Sequence, residues 1–127
     1  RVKQVSIENE TADSLTRDFK VNVGGIMTAL KLVLPDMEKK NEGTILLTGG
    51  GFALHPDPKY GSLAIGKAGV RNLAQSLNSA LKPKNIFVGT VTVAGFVNEK
   101  DEKHNPANIA EQFWKLYTER NEHEIIF

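Results

Sequence analysis

Apolar side chains follow two kinds of pattern along this chain. Helical spacing, with apolar residues recurring every three or four positions, begins near Ser14, Tyr60 and Ala107. Continuous apolar or β-branched runs, which are typical of strands buried in a parallel sheet, occupy Thr44–Thr48, Ile86–Val93 and the short segment His123–Phe127. The resulting order of helix, strand, helix, strand, helix, strand predicts an α/β fold in which right-handed crossovers lay helices over a parallel sheet.

Local signals place the ends of these elements. Thr11 or Asp13 can cap the first helix, and Asn105 followed by Pro106 is an N-cap with proline at the first helical position. The pair Gly24–Gly25 interrupts the first helical pattern at a cost of up to about 1 kcal/mol per glycine relative to alanine. Glycines kept inside a helix predict close packing against a neighbouring backbone at this point.

Three consecutive glycines, Gly49–Gly51, end the first strand. They give the backbone conformational freedom and allow another group to approach closely. A rigid turn, His55–Pro58, follows them. Because a proline-containing loop rather than a helix comes next, this run is not a pyrophosphate-binding fingerprint.

Composition excludes several function classes. The 127 residues are 40% apolar and carry a formal net charge of +1, without the basic run expected of a nucleic-acid surface. The chain has no cysteine, so disulfides and thiolate sites are excluded, and no metal site is predicted. No apolar run approaches the roughly 18 residues of a membrane span, and no signal peptide is recognised. We therefore expect a cytoplasmic protein that contacts neither nucleic acid nor membrane.

The segment Gly43–Leu77 runs from a buried strand through a glycine-rich turn and a loop into a long helix with Lys67 near its start. This layout resembles the catalytic half of the short-chain dehydrogenase/reductase family. The resemblance implies an NAD(P)-binding, Rossmann-like, doubly wound parallel sheet of which only the C-terminal portion is present. Residues 1–127 are then expected to form the C-terminal part of a single domain whose N-terminal, dinucleotide-binding half is not in this sequence.

The resemblance also implies catalytic positions. The family uses a tyrosine as acid/base, a lysine four residues later, a serine after the preceding strand and an asparagine on the earlier helix. Asn22 matches the asparagine position, and Lys67 matches the lysine position. Gly50 stands where the serine is expected, and Leu63 stands at the tyrosine position. Neither residue offers a side chain that can carry a proton.

Tyr60 is the candidate replacement for the missing acid. It precedes Lys67 by seven residues, which would place both on one helix face but about 10 Å apart along the axis. Tyr60 can therefore act in catalysis only if the loop before it folds back; otherwise it packs or caps the helix start. His55 is a second candidate proton donor, with a structural role in the proline turn as the alternative.

Cofactor contacts follow from the same resemblance, with NAD or NADP as the implied cofactor. Lys67 would bind the hydroxyls of the nicotinamide ribose. Gly95 and Val97 lie in the segment that corresponds to the family's contact with the nicotinamide carboxamide, although Gly95 is equally explained as a strand end. Thr48 and Gly49 lie at the carboxyl end of a strand, where open α/β sheets bind ligands. Arg71, one turn after Lys67, is interpreted as the partner of a carboxylate.

Two functions remain open at this point. The first is hydride transfer between NAD(P) and a small-molecule carbonyl or alcohol. The second is a non-catalytic relative that senses a cofactor or serves as an assembly scaffold, which the losses at Gly50 and Leu63 favour. The resemblance further implies a homodimer or homotetramer, for which the chain offers apolar side chains at Phe19, Ile26, Phe113, Trp114 and Tyr117.

Overall fold

The fold is built on a three-stranded parallel sheet with helices on both faces. The structure, a computed structural model, describes residues 4–127. Its strands are β1 (Gly43–Gly50), β2 (Ile86–Val93) and β3 (Glu124–Ile126), in the spatial order β1-β2-β3. Its α-helices are α1 (Ala12–Phe19), α2 (Gly25–Lys40), α3 (Gly61–Leu81) and α4 (Pro106–Glu119). The predicted α/β class and order of elements are confirmed.

The register of the sheet brings the carboxyl ends of its strands together at one end of the sheet. Gly43 pairs with Ile86 and Gly50 pairs with Val93, so that β1 and β2 run in parallel over their full lengths. β3 joins β2 through the pair Thr92 and Ile126. Because parallel strands all point the same way, the segments that follow β1 and β2 meet at this end of the sheet.

Successive β2 residues face opposite layers, as the two-residue period of a strand requires. Val91 and Val93 pack with Leu116 and Ile109 of α4 on one face. Ile86 and Val88 pack with Leu81 of α3 in a second cluster, to which α2 contributes partly buried side chains. β2, which is buried at every position except the half-buried Phe87, is therefore the centre of the described sheet.

The outer strand β1 departs from the prediction. Residues 43–47 are half-buried, and Thr48 is exposed, whereas Gly49 and Gly50 are buried. The prediction that this strand is buried on both faces is wrong within residues 4–127, because β1 forms an edge of the described sheet and has a hydrogen-bonded neighbour there on one side only.

Helix ends follow the predicted signals. The Thr11 side chain accepts a hydrogen bond from the Ser14 backbone N–H, and the Ser14 hydroxyl oxygen accepts one from the Thr11 backbone N–H, which completes a capping box at α1. Asn105 caps α4 by accepting a hydrogen bond from the Asn108 backbone N–H. Within residues 4–127, no helix combines the length and apolar character that crossing a bilayer requires.

A five-residue π-helical segment, Lys20–Gly24, joins α1 to α2 without a break. The close packing expected at Gly24 and Gly25 is absent: a Cβ at Gly25 would meet nothing within 4 Å, and at Gly24 it would meet only the preceding turn. The close approach instead uses α3, where a Cβ at Gly69 would lie 2.9 Å from Val23 Cγ2. The glycines that let two helices touch are therefore on the partner helix.

Candidate active site

A cavity of about 520 Å³ opens at the carboxyl ends of β1 and β2. Its floor is formed by backbone of the glycine run, one wall by α3 and the other wall by the segment after β2. The described residues that line it are Thr48, Gly49, Gly50, Gly51, Phe52, His55, Leu63, Lys67, Val93, Ala94, Gly95, Phe96 and Val97. The predicted residues Thr48, Gly49, Lys67, Gly95 and Val97 are thus brought together around one space.

A second cavity of about 280 Å³ lies between α3, β1 and the π-helical segment. Asn22 and Gly66 border it, together with apolar side chains of α2, α3 and β1. Thr48, Leu63 and Lys67 line both cavities. Lys67 is therefore the cationic side chain that the two spaces share.

The Lys67 ammonium is partly buried with few hydrogen bonds or charges to replace its contacts with water. Its Nζ donates a long hydrogen bond of 3.5 Å to the Thr48 carbonyl oxygen, and within residues 4–127 no carboxylate pairs with it. Burial lowers the pKa of Lys67 below its ordinary value of 10.5, because removal from water disfavours the charged form. An ammonium with three N–H donors and one weak partner has hydrogen-bonding capacity to spare for a ligand.

The position of the lysine stem depends on Gly50. A Cβ built on Gly50 would lie 3.0 Å from both Cδ and Cε of Lys67. Gly50 has an extended conformation, with φ −151° and ψ 149°, which any residue adopts. Contact therefore explains the glycine better than backbone conformation does, because a side chain at position 50 would press tightly on the lysine stem.

Asn22 reaches the site from the π-helical segment. A Cβ at Gly66 would lie 3.2 Å from Asn22 Nδ2, so the asparagine side chain packs directly on the backbone of α3, one residue from Lys67. Short π-helical segments inside α-helices occur frequently at functional sites. The two matching family positions, Asn22 and Lys67, therefore border the same small cavity from facing helices.

Tyr60 lies outside this arrangement. It ends a 3₁₀ turn with φ −126° and ψ 49° and precedes α3, so the prediction that it shares a helix face with Lys67 is wrong. Its ring stacks on Phe52 at 4.8 Å between centroids, and its hydroxyl accepts a hydrogen bond of 3.0 Å from Gln4 Nε2. The described lining of the larger cavity includes Leu63 but not Tyr60.

His55 borders the larger cavity from an exposed position in the proline turn. Among the described residues that line either cavity, His55 and Lys67 are the two with ionisable side chains. Leu63, one helical turn before Lys67, contributes only apolar surface. Any proton donor within this lining must therefore be the histidine or the lysine.

Sequence patterns missed the contact between Gly95 and His104. A Cβ at Gly95 would overlap the imidazole of His104, which packs on the glycine backbone and meets the Phe127 ring edge-on at 5.7 Å. His104 Nε2 is buried without a hydrogen-bond partner among residues 4–127. No periodicity in the polar loop indicated this contact, because it depends on how the loop folds back over the end of β2.

Arg71 pairs with a carboxylate, as its position predicted. Its Nε and one terminal nitrogen each donate a 2.8 Å hydrogen bond to Glu124 of β3, and Thr92 Oγ1 donates a third to the same carboxylate. The Arg71 hydrogen bond is the main cause that lowers the pKa of Glu124, and the same contact raises the pKa of Arg71. This pair ties α3 to the sheet one turn beyond Lys67.

Known proteins are similar to this chain in sequence. The family model described as short chain dehydrogenase matches residues 2–108. A relative in Sus scrofa, named dehydrogenase/reductase SDR family member 4, is 31% identical over 83 residues, which are 65% of this chain and 30% of that protein.

Solved structures share the architecture over nearly the whole chain. A bulky-bulky ketone specific alcohol dehydrogenase from Comamonas testosteroni has a TM-score of 0.82 at 22% identity, over 99% of this chain and 51% of its own. An NADPH-bound short chain oxidoreductase from Pseudomonas aeruginosa PAO1, described as containing an atypical catalytic center, has a TM-score of 0.71 at 17% identity, over 94% of this chain and 44% of its own. The chain thus spans about a third to a half of the length of the proteins it matches.

Proposed function

The chain belongs to the short-chain dehydrogenase family, and we propose that it supplies the catalytic part of an oxidoreductase that transfers hydride between NAD(P) and a carbonyl or alcohol. The observation that carries this proposal is the position of Lys67, a poorly compensated ammonium that borders both cavities at the carboxyl ends of the strands. Parallel α/β sheets bind their ligands at this edge.

The donor set fits one end of a nicotinamide dinucleotide. Lys67 offers free N–H donors for sugar hydroxyls, and the glycine run lets a ligand approach the floor of the cavity. Gly95 and Val97 line the opposite wall and are proposed to meet the carboxamide of the nicotinamide. Asn22, packed on Gly66, is proposed to hold a water that relays protons to the lysine.

The whole protein is proposed to bind the dinucleotide through more than these residues. The described lining offers no helix N-terminus preceded by a glycine fingerprint for the pyrophosphate. The chain also covers only 30% of the Sus scrofa relative. We therefore assign residues 1–127 to the C-terminal part of a single Rossmann-like domain and assign the pyrophosphate contacts to its other half.

The larger cavity favours an apolar substrate. Phe52, Phe96, Leu63 and Val97 supply much of its wall, and Phe52 contacts Phe96 edge-on at 6.1 Å. Apolar walls with few polar groups are typical of small-molecule sites that select by shape and hydrophobicity. We propose a ketone, aldehyde or secondary alcohol that carries an aromatic or bulky aliphatic group.

The proposal includes self-association. Val21, Leu32 and Val33 are 71%, 79% and 46% exposed on the helix that runs from α1 through α2, and these three side chains are called the apolar strip. A homodimer or homotetramer that covers the strip would remove these side chains from water.

Titration of the intact protein with NADH and NADPH tests the central claim. Lys67→Ala is expected to weaken binding at least about tenfold, because a charge-assisted hydrogen bond to the ligand is lost. The exposed lysine Lys31, on α2, provides the matched control as Lys31→Ala. Unchanged affinity in Lys67→Ala would reject the assignment of Lys67 as a cofactor-binding residue.

The second candidate is a cofactor-binding scaffold without activity, favoured by Gly50 and Leu63 at the family's serine and tyrosine positions. This candidate predicts that the intact protein binds NAD(P)H but reduces none of a panel of aldehydes and ketones. The doubly substituted variant Gly50→Ser, Leu63→Tyr would then gain reductase activity. A wild-type protein that is already active on the panel would reject the scaffold hypothesis.

A further inference from the structure

We propose that the Lys67 ammonium is itself the acid of this site and delivers the proton to the carbonyl oxygen of the substrate. The inference rests on the proposed function and adds to it the identity of the proton donor. It starts from the geometry of α3: Leu63 and Lys67 lie one turn apart and face the same cavity, so that a substrate oxygen beside Leu63 is also beside the lysine stem.

The described side chains around the cavity leave few alternatives. Leu63 has no proton to give, and Gly50 has no side chain. Tyr60 packs behind two lining rings, Phe52 and Phe96, without being part of the described lining, and its hydroxyl accepts a hydrogen bond from Gln4. The remaining rival is His55, which is exposed on the proline turn, whereas Lys67 is half-buried between the two cavities.

Gly50 makes room for this role. With no Cβ at position 50, the Lys67 stem lies against the backbone of β1, where a Cβ would be 3.0 Å away. This contact holds Nζ near the Thr48 carbonyl at the rim of the cavity. The glycine is thus a positioning residue, because it acts on the substrate only through the lysine.

The proton balance of the step is simple. The nicotinamide, when bound, supplies the hydride that reduces the carbonyl carbon. At Lys67 one Nζ–H bond breaks, its electron pair stays on nitrogen, and the proton forms the O–H bond of the alcohol product. The neutral amine then recovers a proton from water at the exposed Thr48 rim or by way of Asn22. In alcohol oxidation the same amine accepts the proton.

The charges around Lys67 determine how proton donation by its ammonium depends on pH. Within residues 4–127, the β1 side presents the neutral Thr48 carbonyl, the π-helical segment presents Asn22, and the proline turn presents His55. On α3 itself, Arg71 is neutralised by Glu124. Burial without a counter-charge makes the ammonium a stronger acid, which suits proton donation. Carbonyl reduction should therefore fall as pH rises through the lowered pKa of Lys67, and alcohol oxidation should rise.

The test separates proton donation from cofactor binding. Lys67→Arg keeps the positive charge and its N–H donors, but a guanidinium does not release its proton in this pH range. With the intact protein, we expect Lys67→Arg to bind NADPH within about threefold of wild type and to lose at least about 100-fold in kcat for acetophenone and benzaldehyde. Lys67→Met should lose turnover equally, and Lys31→Arg should retain it. Circular dichroism confirms that each variant is folded.

A second readout needs no activity. In the protein without cofactor, NMR titration of the lysine side-chain Cε–Hε signals, with Lys67 assigned from the spectrum of Lys67→Arg, should give a pKa below 10.5. The pH at which kcat for reduction falls should follow the pKa of Lys67 measured by NMR. In Lys67→Arg this fall in kcat should be absent.

Four results would overturn the proposal. Retention of kcat in Lys67→Arg would show that the lysine only binds. Loss of turnover in His55→Gln, with Lys67→Arg still active, would identify the histidine as the donor. A wild-type protein that binds NADPH but reduces neither probe would reject Lys67 as an acid while leaving its binding role intact. Absence of NADH and NADPH binding would reject the proposed function itself.

Discussion

The stem of Lys67 occupies the position that a side chain at Gly50 would fill, since a Cβ there would lie 3.0 Å from both Cδ and Cε of the lysine. The two residues come from different elements, β1 and α3, and are separated by a loop with two prolines. Their contact means that a serine at position 50 requires the Lys67 stem to shift by a few tenths of an ångström.

Substitution of Gly50 should therefore harm the site. Gly50→Ser and Gly50→Ala are both expected to lower kcat for carbonyl reduction about tenfold or more, because either Cβ displaces the Lys67 stem. Steady-state kinetics of the intact protein measure the effect. Equal losses in the two variants support displacement as the cause. A gain in Gly50→Ser with a loss in Gly50→Ala would instead show that a hydroxyl works at this position.

Gly69 and Gly25 should respond in opposite ways to alanine. At Gly69 the new Cβ would lie 2.9 Å from Val23 Cγ2 and 3.0 Å from Phe19 Cε2, so Gly69→Ala should destabilise the protein by about 1–2 kcal/mol net of its better helix propensity. Gly25→Ala meets nothing within 4 Å and should stabilise by about 0.5–1 kcal/mol. Urea unfolding measures both free energies, and a destabilised Gly25→Ala would contradict this account.

The Arg71–Glu124 pair should contribute more to thermal stability than the exposed pair of Lys84 and Glu38. Glu124 accepts three hydrogen bonds, so Glu124→Gln should lower the unfolding midpoint by about 5 °C at pH 7. Glu38→Gln removes a contact between side chains that are 49% and 38% exposed and should change the midpoint by less than about 2 °C.

The effect of Glu124 should also depend on pH. Its pKa is lowered in the folded protein, chiefly by Arg71, so its contribution is present above the unfolded pKa of about 4.3 and is lost as pH falls through the folded value. The difference between wild type and Glu124→Gln should therefore shrink in thermal melts below about pH 4. A difference that stays constant to pH 2 would contradict this linkage.

Phe96 should govern substrate size preference. Phe96 is 63% exposed and borders the larger cavity, so its removal costs little stability. Phe96→Ala is expected to raise KM for aromatic ketones about tenfold with little change in kcat, because apolar contact contributes to ground-state and transition-state binding alike. Phe96→Leu, which keeps apolar surface, should stay within about threefold. A drop in kcat without a change in KM would contradict this role.

Leu32 should report the proposed subunit interface. Leu32→Glu places a charge in the exposed strip of α2 and should convert an oligomer to monomers, as measured by light scattering coupled to size exclusion. Leu32 is 79% exposed, so the variant should fold normally. Trp114→Glu, at a position on α4 that is 66% exposed, tests the second surface that the sequence offers for self-association, and loss of the oligomer there alone would place the interface on α4. An unchanged mass in Leu32→Glu would reject this interface.

Sequence patterns predicted the elements whose signals are local. β2 occupies the predicted residues 86–93, and the caps at Thr11 and Asn105 form as expected, because a cap or a β-branched run acts within a few residues. Thr48 and Gly49 of the candidate site followed from the position of a strand end, whereas Asn22, Lys67 and Gly95 were identified by the family resemblance.

The failures concern contacts between elements. Gly24 and Gly25 were expected at a close helix contact, but Gly66 and Gly69 of α3 make it. Tyr60 was expected on the helix, but it ends the proline turn in a non-helical conformation, one residue before α3 begins. Lys67 and Gly50 were each identified, but their contact was not, because it depends on the distance between β1 and α3.

The π-helical segment that carries Asn22 makes residue count, rather than residue identity, the sensitive property of the first long helix. A π-helical turn closes i→i+5 hydrogen bonds and therefore holds one residue more than an α-helical turn. Deletion of one residue between positions 20 and 24 would convert the segment to α-helix with little change in the rotation of α1 relative to α2, but Asn22 would lose the bulged position from which it contacts Gly66. Sequence comparison of this segment therefore has to weigh a single-residue gap more heavily than several substitutions.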